Sequence, residues 1–226
     1  MISYYGGKKK IVKMYPKPMY NTIIEPFAGG AWYSLLYPNK MVLLNELYLP
    51  IYEMWDWLIH TAESQDIPTT PFQQGEDIRT RGFQTPLKTL IGFNINRGAS
   101  TPNNIVQKWA CQRKGNPFFA STTKFALDRA RLLLPVIKHW EITNLSYDEL
   151  PNVEATWFID PPYQHGGQYY VHNSIDYHKL RDYVMSRKGQ VIVCENSKAD
   201  WLDFRPLANL QGQKHKTTEV IFTKIN

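Results

Sequence analysis

Cysteine is scarce in this chain: Cys111 and Cys194 are the only two among 226 residues. Their spacing matches neither a zinc site nor a disulfide framework. The six histidines show no paired ligand spacing either, so no metal is expected. Cys194 follows the apolar run Val191-Ile192-Val193 and reads as a buried small hydrophobe. Long apolar runs are also missing. None approaches the ~20 residues that span a bilayer, and no apolar signal core follows the charges of the opening MISYYGGKKKIVK. The expectation is a soluble, cytoplasmic protein without a membrane partner.

The most informative absence is of acid. From Ile78 to Leu127, fifty residues, there is no Asp or Glu. The same interval holds Arg79, Arg81, Lys88, Arg97, Lys108, Arg113, Lys114 and Lys124. A second basic stretch, with Lys8, Lys9, Lys10, Lys13 and Lys17, precedes the first acid, Glu25. Charges of both signs usually intersperse on a surface. With a net charge of +6 and a pI near 9.1, this segregation points to a polyanionic partner. A solvated basic face is the plainer alternative.

The remainder is ordinary globular material, with 43% hydrophobic residues. Thr22-Ile23-Ile24 reads as a short buried strand, ended by Pro26 and the Gly29-Gly30 pair. A helix over 31–36, a strand over 41–44 and a helix over 49–59 follow, the rhythm of a parallel sheet with covering helices. Residues 61–120 are rich in Pro, Thr, Gln, Asn and Gly and read as an insertion, with short helical pieces near 87–93 and 104–111. Its aromatics Phe83, Phe93, Trp109 and Phe118 suit a small core. Helix returns at 125–137, then strands at 141–144 and 155–159, a helix at 176–186 and a strand at 190–194. The alternating residues 219–225 pair with a partner near 207–210 as a closing antiparallel hairpin. The predicted fold is an α/β sheet with an antiparallel edge, formed by residues 1–60 and 121–226, with 61–120 inserted. In such folds ligands bind at the carboxyl ends of the strands.

Three signals fall at predicted strand ends. Glu25-Pro26-Phe27-Ala28-Gly29-Gly30 lies between a strand and a helix, where glycines allow a tight turn and close approach of a ligand. Glu46 closes the second strand, where an acid can accept from ribose hydroxyls. It could equally be a helix N-terminal acid. Asp160-Pro161-Pro162-Tyr163 closes an apolar strand. Two prolines cannot continue a sheet and stiffen the loop. The loop would hold a carboxylate, a carbonyl and an aromatic ring together, a set suited to an exocyclic amine on a flat base.

These residues resemble the Dam-type (D12 class) DNA adenine-N6 methyltransferases, whose hallmark is a DPPY tetrad. Tyr4-Tyr5-Gly6-Gly7-Lys8 is similar to that family's N-terminal Trp-x-Gly-Gly-Lys, with Tyr4 in the Trp place. Glu25 to Gly30 is similar to its cofactor loop EPFxGxG, with Ala31 in place of the last Gly. Asn45-Glu46-Leu47-Tyr48 is similar to its Asp-Ile-Asn segment, Glu46 standing for the Asp and Tyr48 departing from the Asn. Residues 217–226 resemble its closing strand. Where the family often shows Asp-Phe beside the cofactor adenine, this chain has Ser146-Tyr147.

The resemblance implies a Rossmann-like, S-adenosylmethionine-dependent methyltransferase acting on double-stranded DNA. It further implies a flipped adenine in the DPPY pocket, a DNA-modification role, and no metal. It implies catalysis by Asp160, Pro161, Pro162 and Tyr163. Cofactor contacts fall to Tyr4, Gly7, Lys8, Glu25, Pro26, Phe27, Ala28, Gly29, Gly30, Glu46, Tyr147 and Asp160. The basic segment would grip phosphates. Two other readings fit the same residues: a methyltransferase for RNA or another planar amine, and a catalytically silent relative that binds cofactor or DNA.

Overall fold

The computed structural model describes residues 2–4, 6–96, 98–111, 121–211 and 216–226. The chain divides into two compact units, 8–47 with 143–226, and 1–7 with 48–142.

The first unit is built on a mixed sheet. Its strands are β1 (Thr22–Glu25), β2 (Met41–Asn45), β4 (Ala155–Ile159), β5 (Gly189–Asn196), β6 (Arg205–Gln211) and β7 (Lys216–Ile225). The strand β3 (Glu141–Thr143), inside which the division falls, completes the order β3-β2-β1-β4-β5-β7-β6. Pairings β1–β2, β1–β4 and β4–β5 are parallel, whereas β5–β7 and β6–β7 are antiparallel. The apolar run of β4 is buried at all five positions, as befits a strand covered on both faces. Trp157 packs there with Tyr183, Val184 and Leu180 of helix α5 (Tyr177–Ser186). That helix starts where Asp176 accepts from the backbone N–H groups of His178 and Lys179. Gly189 opens β5 at φ +88, where a Cβ would stand 2.4 Å from the Ala155 carbonyl, so the close β4–β5 approach requires glycine. The C-terminal hairpin forms as the alternation predicts, over longer strands.

One expected helix is missing. Residues 31–36 give only a 3₁₀ turn, Ser34–Leu36. The cause is Ala31 itself: its φ of +48 is left-handed and cannot continue into a helix.

The other unit is helical: α1 (Leu49–Asp56), α2 (Thr85–Gly92), α3 (Lys108–Cys111) and α4 (Ser121–Ile137). A π-helical turn, Trp57–Thr61, prolongs α1. The unit extends on both sides of the compositional segment 61–120, because the flanking helices pack with it. Trp55 and Trp140 lie 6.2 Å apart, and Lys138 donates to the carbonyls of Leu58 and Ala62. Arg131 donates to the Ile67 carbonyl. Of the aromatics expected to form a small core, Phe93 is fully buried, while Phe83, which meets the buried Phe72 edge-on, and Trp109 are half-buried. Phe118 lies outside the described residues. Among the described residues no helix is long and apolar enough to cross a membrane.

Candidate active site

Strand order reverses between β1 and β4, since β2 lies on one side of β1 and β5 on the other side of β4. Open α/β sheets offer a ligand crevice at such a point, outside the carboxyl ends of the strands. The loops leaving these two strands are 26–31 and 160–163, so both sequence motifs open onto it.

The loop after β1 is fixed by side chains. The Asn45 amide donates to the carbonyls of Pro26 and Leu145, and its oxygen accepts from Thr143 Oγ1 and the Leu145 N–H. One residue thus ties together the loops after β1, β2 and β3. Glu46 Oε2 accepts the Gly29 N–H at 2.8 Å, so the acid holds the glycine loop from within. Gly29 and Ala31 both adopt positive φ, +46 and +48. The site where the resemblance expects glycine therefore keeps the glycine conformation with a methyl group attached. Glu25 is buried and accepts the Ser34 N–H at 2.8 Å. Burial pushes its carboxyl up to about 7, against the pull of Ser34. Phe27 and Tyr147 lie 5.3 Å apart, bringing the loops after β1 and β3 into ring contact.

The loop after β4 carries the densest charge. Asp160 Oδ1 lies 2.8 Å from Lys8 Nζ. The segment 8–15 is brought there by its apolar residues: Ile11 and Val12 are buried, and the Tyr15 ring stands edge-on to Phe158 of β4 at 5.1 Å. A second carboxylate, Glu219 of β7, faces the same ammonium at 3.7 Å. Its Oε1 also accepts the hydroxyls of Tyr15 and Tyr163, both at 2.6 Å. The Tyr163 ring centroid is 4.7 Å from Lys8 Nζ, a cation–π contact. Burial raises the Asp160 carboxyl to about 6; Lys8 opposes that rise and Glu219 adds to it. For Lys8, burial favours the neutral form, but Asp160 and Glu219 prevail and hold the ammonium charged.

The tetrad is braced from outside. Pro161 and Pro162 are buried, and the Pro162 carbonyl accepts the Tyr177 hydroxyl at 2.8 Å. Glu195, at the end of β5 and fully buried, accepts the Gln164 N–H at 2.7 Å, the Asn196 N–H at 2.8 Å and Trp201 Nε1 at 3.3 Å. Burial pushes its carboxyl up to about 7.

Lys8, Glu25, Pro26, Phe27, Ala28, Gly29, Gly30, Glu46, Tyr147 and Asp160 to Tyr163 thus share the sheet unit, at strand ends or packed against them. Tyr4 and Gly7 belong to the helical unit. There Tyr4 packs edge-on to Phe93 at 5.4 Å and its carbonyl accepts the Gly7 N–H. Three site residues escaped the sequence reading: Asn45 as a brace, Glu195 and Glu219. An acid closing an apolar strand run is the signal that could have flagged Glu195, whereas Glu219, which follows Thr217 and Thr218, carries no such signal.

The basic segment separates into paired and unpaired charges. Arg79 is clamped on Asp77, Arg81 on Glu76 and over the Phe72 ring, and Lys124 on Asp128. These acids flank the acid-free interval on both sides. Lys108 is exposed and Lys88 half-buried, and neither has a carboxylate at ion-pair distance among the described residues. Arg97, Arg113 and Lys114 lie outside the described residues. Lys9, Lys10, Lys13 and Lys17 are exposed in the sheet unit.

No protein-family model matches the chain, and a comparison with curated proteins finds no match.

Proposed function

We propose that the sheet unit is an S-adenosylmethionine-dependent methyltransferase acting on the exocyclic amine of adenine in DNA. The observation that carries this reading is the Asp160-Pro161-Pro162-Tyr163 tetrad at the tip of β4, ion-paired to Lys8 beside the switch point of the sheet. The residues fit such a cofactor in two respects. Gly29 and Gly30 lack side chains where a ligand would lie against the loop, and the carboxylate of Glu46 stands at the next strand tip. The buried donor set of Asp160 and Glu219 against one ammonium also favours a cationic ligand.

S-adenosylmethionine supplies a methyl group on a sulfonium centre. The chain supplies orientation and electrostatics. Asp160 Oδ1 is buried against Lys8, while the side chain as a whole keeps 19% exposure, so part of it stays open to solvent. That exposed part accepts one N–H of the adenine amine, and the Pro161 carbonyl accepts the other. The amine lone pair is thereby turned out of conjugation with the ring. As the new C–N bond forms, the amine sheds a proton, and a carboxyl raised to about 6 can take it. The Tyr163 ring, anchored by its hydroxyl on Glu219, is oriented before a base arrives. A paired adenine cannot reach this loop, so the base must leave the duplex.

Incubation with isotopically labelled S-adenosylmethionine and duplex DNA, RNA or protein extract tests the reading. Label should enter DNA as N6-methyladenine, and Asp160→Ala should abolish incorporation with an unchanged circular-dichroism spectrum. Label entering only RNA or protein, or undiminished transfer by Asp160→Ala, refutes it.

A further inference from the structure

Two buried carboxylates, Asp160 and Glu219, face one ammonium, Lys8, at 2.8 and 3.7 Å. The hydroxyls of Tyr15 and Tyr163 and the Cys194 thiol also adjoin this group, and burial keeps all three neutral. With Asp160 ionised, the described residues of the cluster therefore carry one negative charge in excess. It is built in rather than incidental. Glu219 is 4% exposed, sits on a paired strand between β5 and β6, and accepts two short hydroxyl hydrogen bonds at one oxygen. An uncompensated buried charge is costly. It persists most economically where a cationic ligand neutralises it.

We infer that Glu219 sets the charge preference of the cofactor site, making it favour the cationic sulfonium donor over the neutral thioether product, while its Oε1 positions Tyr163. The inference rests on the methyltransferase reading above and assigns to this chain a residue that determines ligand discrimination. Glu219 acts through Lys8, Asp160 and Tyr163 and is a positioning residue. Its chemical consequence is easier product release, since transfer of the methyl group removes the charge that the excess carboxylate attracts.

Calorimetric titration of the full chain with S-adenosylmethionine and with S-adenosylhomocysteine tests this through the ratio of the two affinities. Glu219→Gln is nearly isosteric, and its carbonyl can still accept from Tyr15 and Tyr163, so it removes charge and little else. It should weaken S-adenosylmethionine about tenfold and S-adenosylhomocysteine less than threefold. Glu219→Asp, which keeps the charge, should retain the wild-type ratio. A purely structural role for Glu219 would weaken both ligands equally in Glu219→Gln, and that result overturns the inference while leaving the methyltransferase reading intact. Wild-type protein that binds neither ligand overturns both. Should Glu219→Gln not fold, the wild type decides: the sulfonium should bind about fivefold or more tighter than the thioether, and equal or reversed affinities refute the role.

Discussion

Replacing Lys8 by Met tests the electrostatic core of the site. Methionine keeps an unbranched stem of similar length and removes the ammonium. At an effective dielectric of about 20, the gross attractions across 2.8 and 3.7 Å are about 6 and about 4.5 kcal/mol. The measurable loss is smaller, because Asp160 can escape by taking a proton. With Lys8 present its carboxyl lies at about 6, already above the ordinary 3.8. A carboxyl raised on folding contributes stability that is complete below the unfolded value and is lost as pH rises through the folded value. In the wild type that loss ends near pH 6. Without the ammonium it continues upward for as long as Asp160 stays protonated. Lys8→Met should therefore cost about 2–3 kcal/mol more at pH 8 than at pH 5, at ~1.4 kcal/mol per pH interval of one. The carboxyls of Glu25 and Glu195 titrate in both proteins and cancel in the difference. Urea unfolding of both proteins at the two pH values gives this difference directly. An equal cost at pH 5 and pH 8 would show that Lys8 does not stabilise the Asp160 charge, and the charge ledger of the site would fall with it.

Glu195 offers a second pH test. Its carboxyl is raised by burial from 4.5 to about 7, so its contribution is present below pH 4.5 and lost by pH 7. Wild-type stability should decline over that window by up to about 3.5 kcal/mol from this group alone. Glu195→Gln should flatten the decline; an unchanged slope removes Glu195 as its source. On the basic segment, Lys88→Ala with Lys108→Ala should reduce the slope of log DNA affinity against log salt by up to about two. Arg79→Ala should leave that slope nearly unchanged, since Asp77 already neutralises the guanidinium. If Arg79 proves the stronger determinant in filter-binding or fluorescence titrations, the Arg79–Asp77 pairing does not describe this surface in solution.

Most of the fold was legible because the sheet is made of short apolar runs bounded by punctuation. β4 reads from five apolar or β-branched residues that stop at Asp160-Pro161-Pro162, and its observed bounds are the expected ones. The closing hairpin reads from the approximate alternation of 219–225 and its expected partner near 207–210. The helix expected over 31–36 failed for a reason that composition hides. Ala and Leu favour helix, but Ala31 is held in a left-handed conformation by its neighbours: its N–H donates to the Ala28 carbonyl at 2.7 Å, and the adjoining loop is pinned by Glu46 and Asn45. Loop geometry fixed from another strand overrides local propensity. The unit boundary was displaced for a similar reason. Composition changes at residue 61, whereas packing changes where Trp55 meets Trp140 and where Lys138 reaches back to Leu58 and Ala62.

Of the site, the motif residues were visible and their partners were not. Asp160 and Lys8 are separated by most of the chain, and resemblance alone could suggest that both serve one site. Nothing in the sequence tells which carboxylate faces which ammonium. Glu219 stands in a run of alternating residues and reads as an outward-facing strand acid. The β7–β5 register decides otherwise: Glu219 pairs with Asn196, and Ile221 with Cys194, which sets the Glu219 side chain on the face that receives Lys8 and Tyr163. Register is a two-strand property, so no reading of one strand could place it. Glu195 stands one residue along the partner strand, where successive side chains point to opposite faces. The two buried acids therefore divide the work: Glu219 holds Tyr163 and Lys8, and Glu195 holds the backbone just beyond the tetrad and the ring of Trp201. A stiff loop of two prolines fixes its own shape but not its orientation on the sheet. These two acids, placed by the antiparallel edge, supply that orientation, and the closing hairpin is in this sense part of the site.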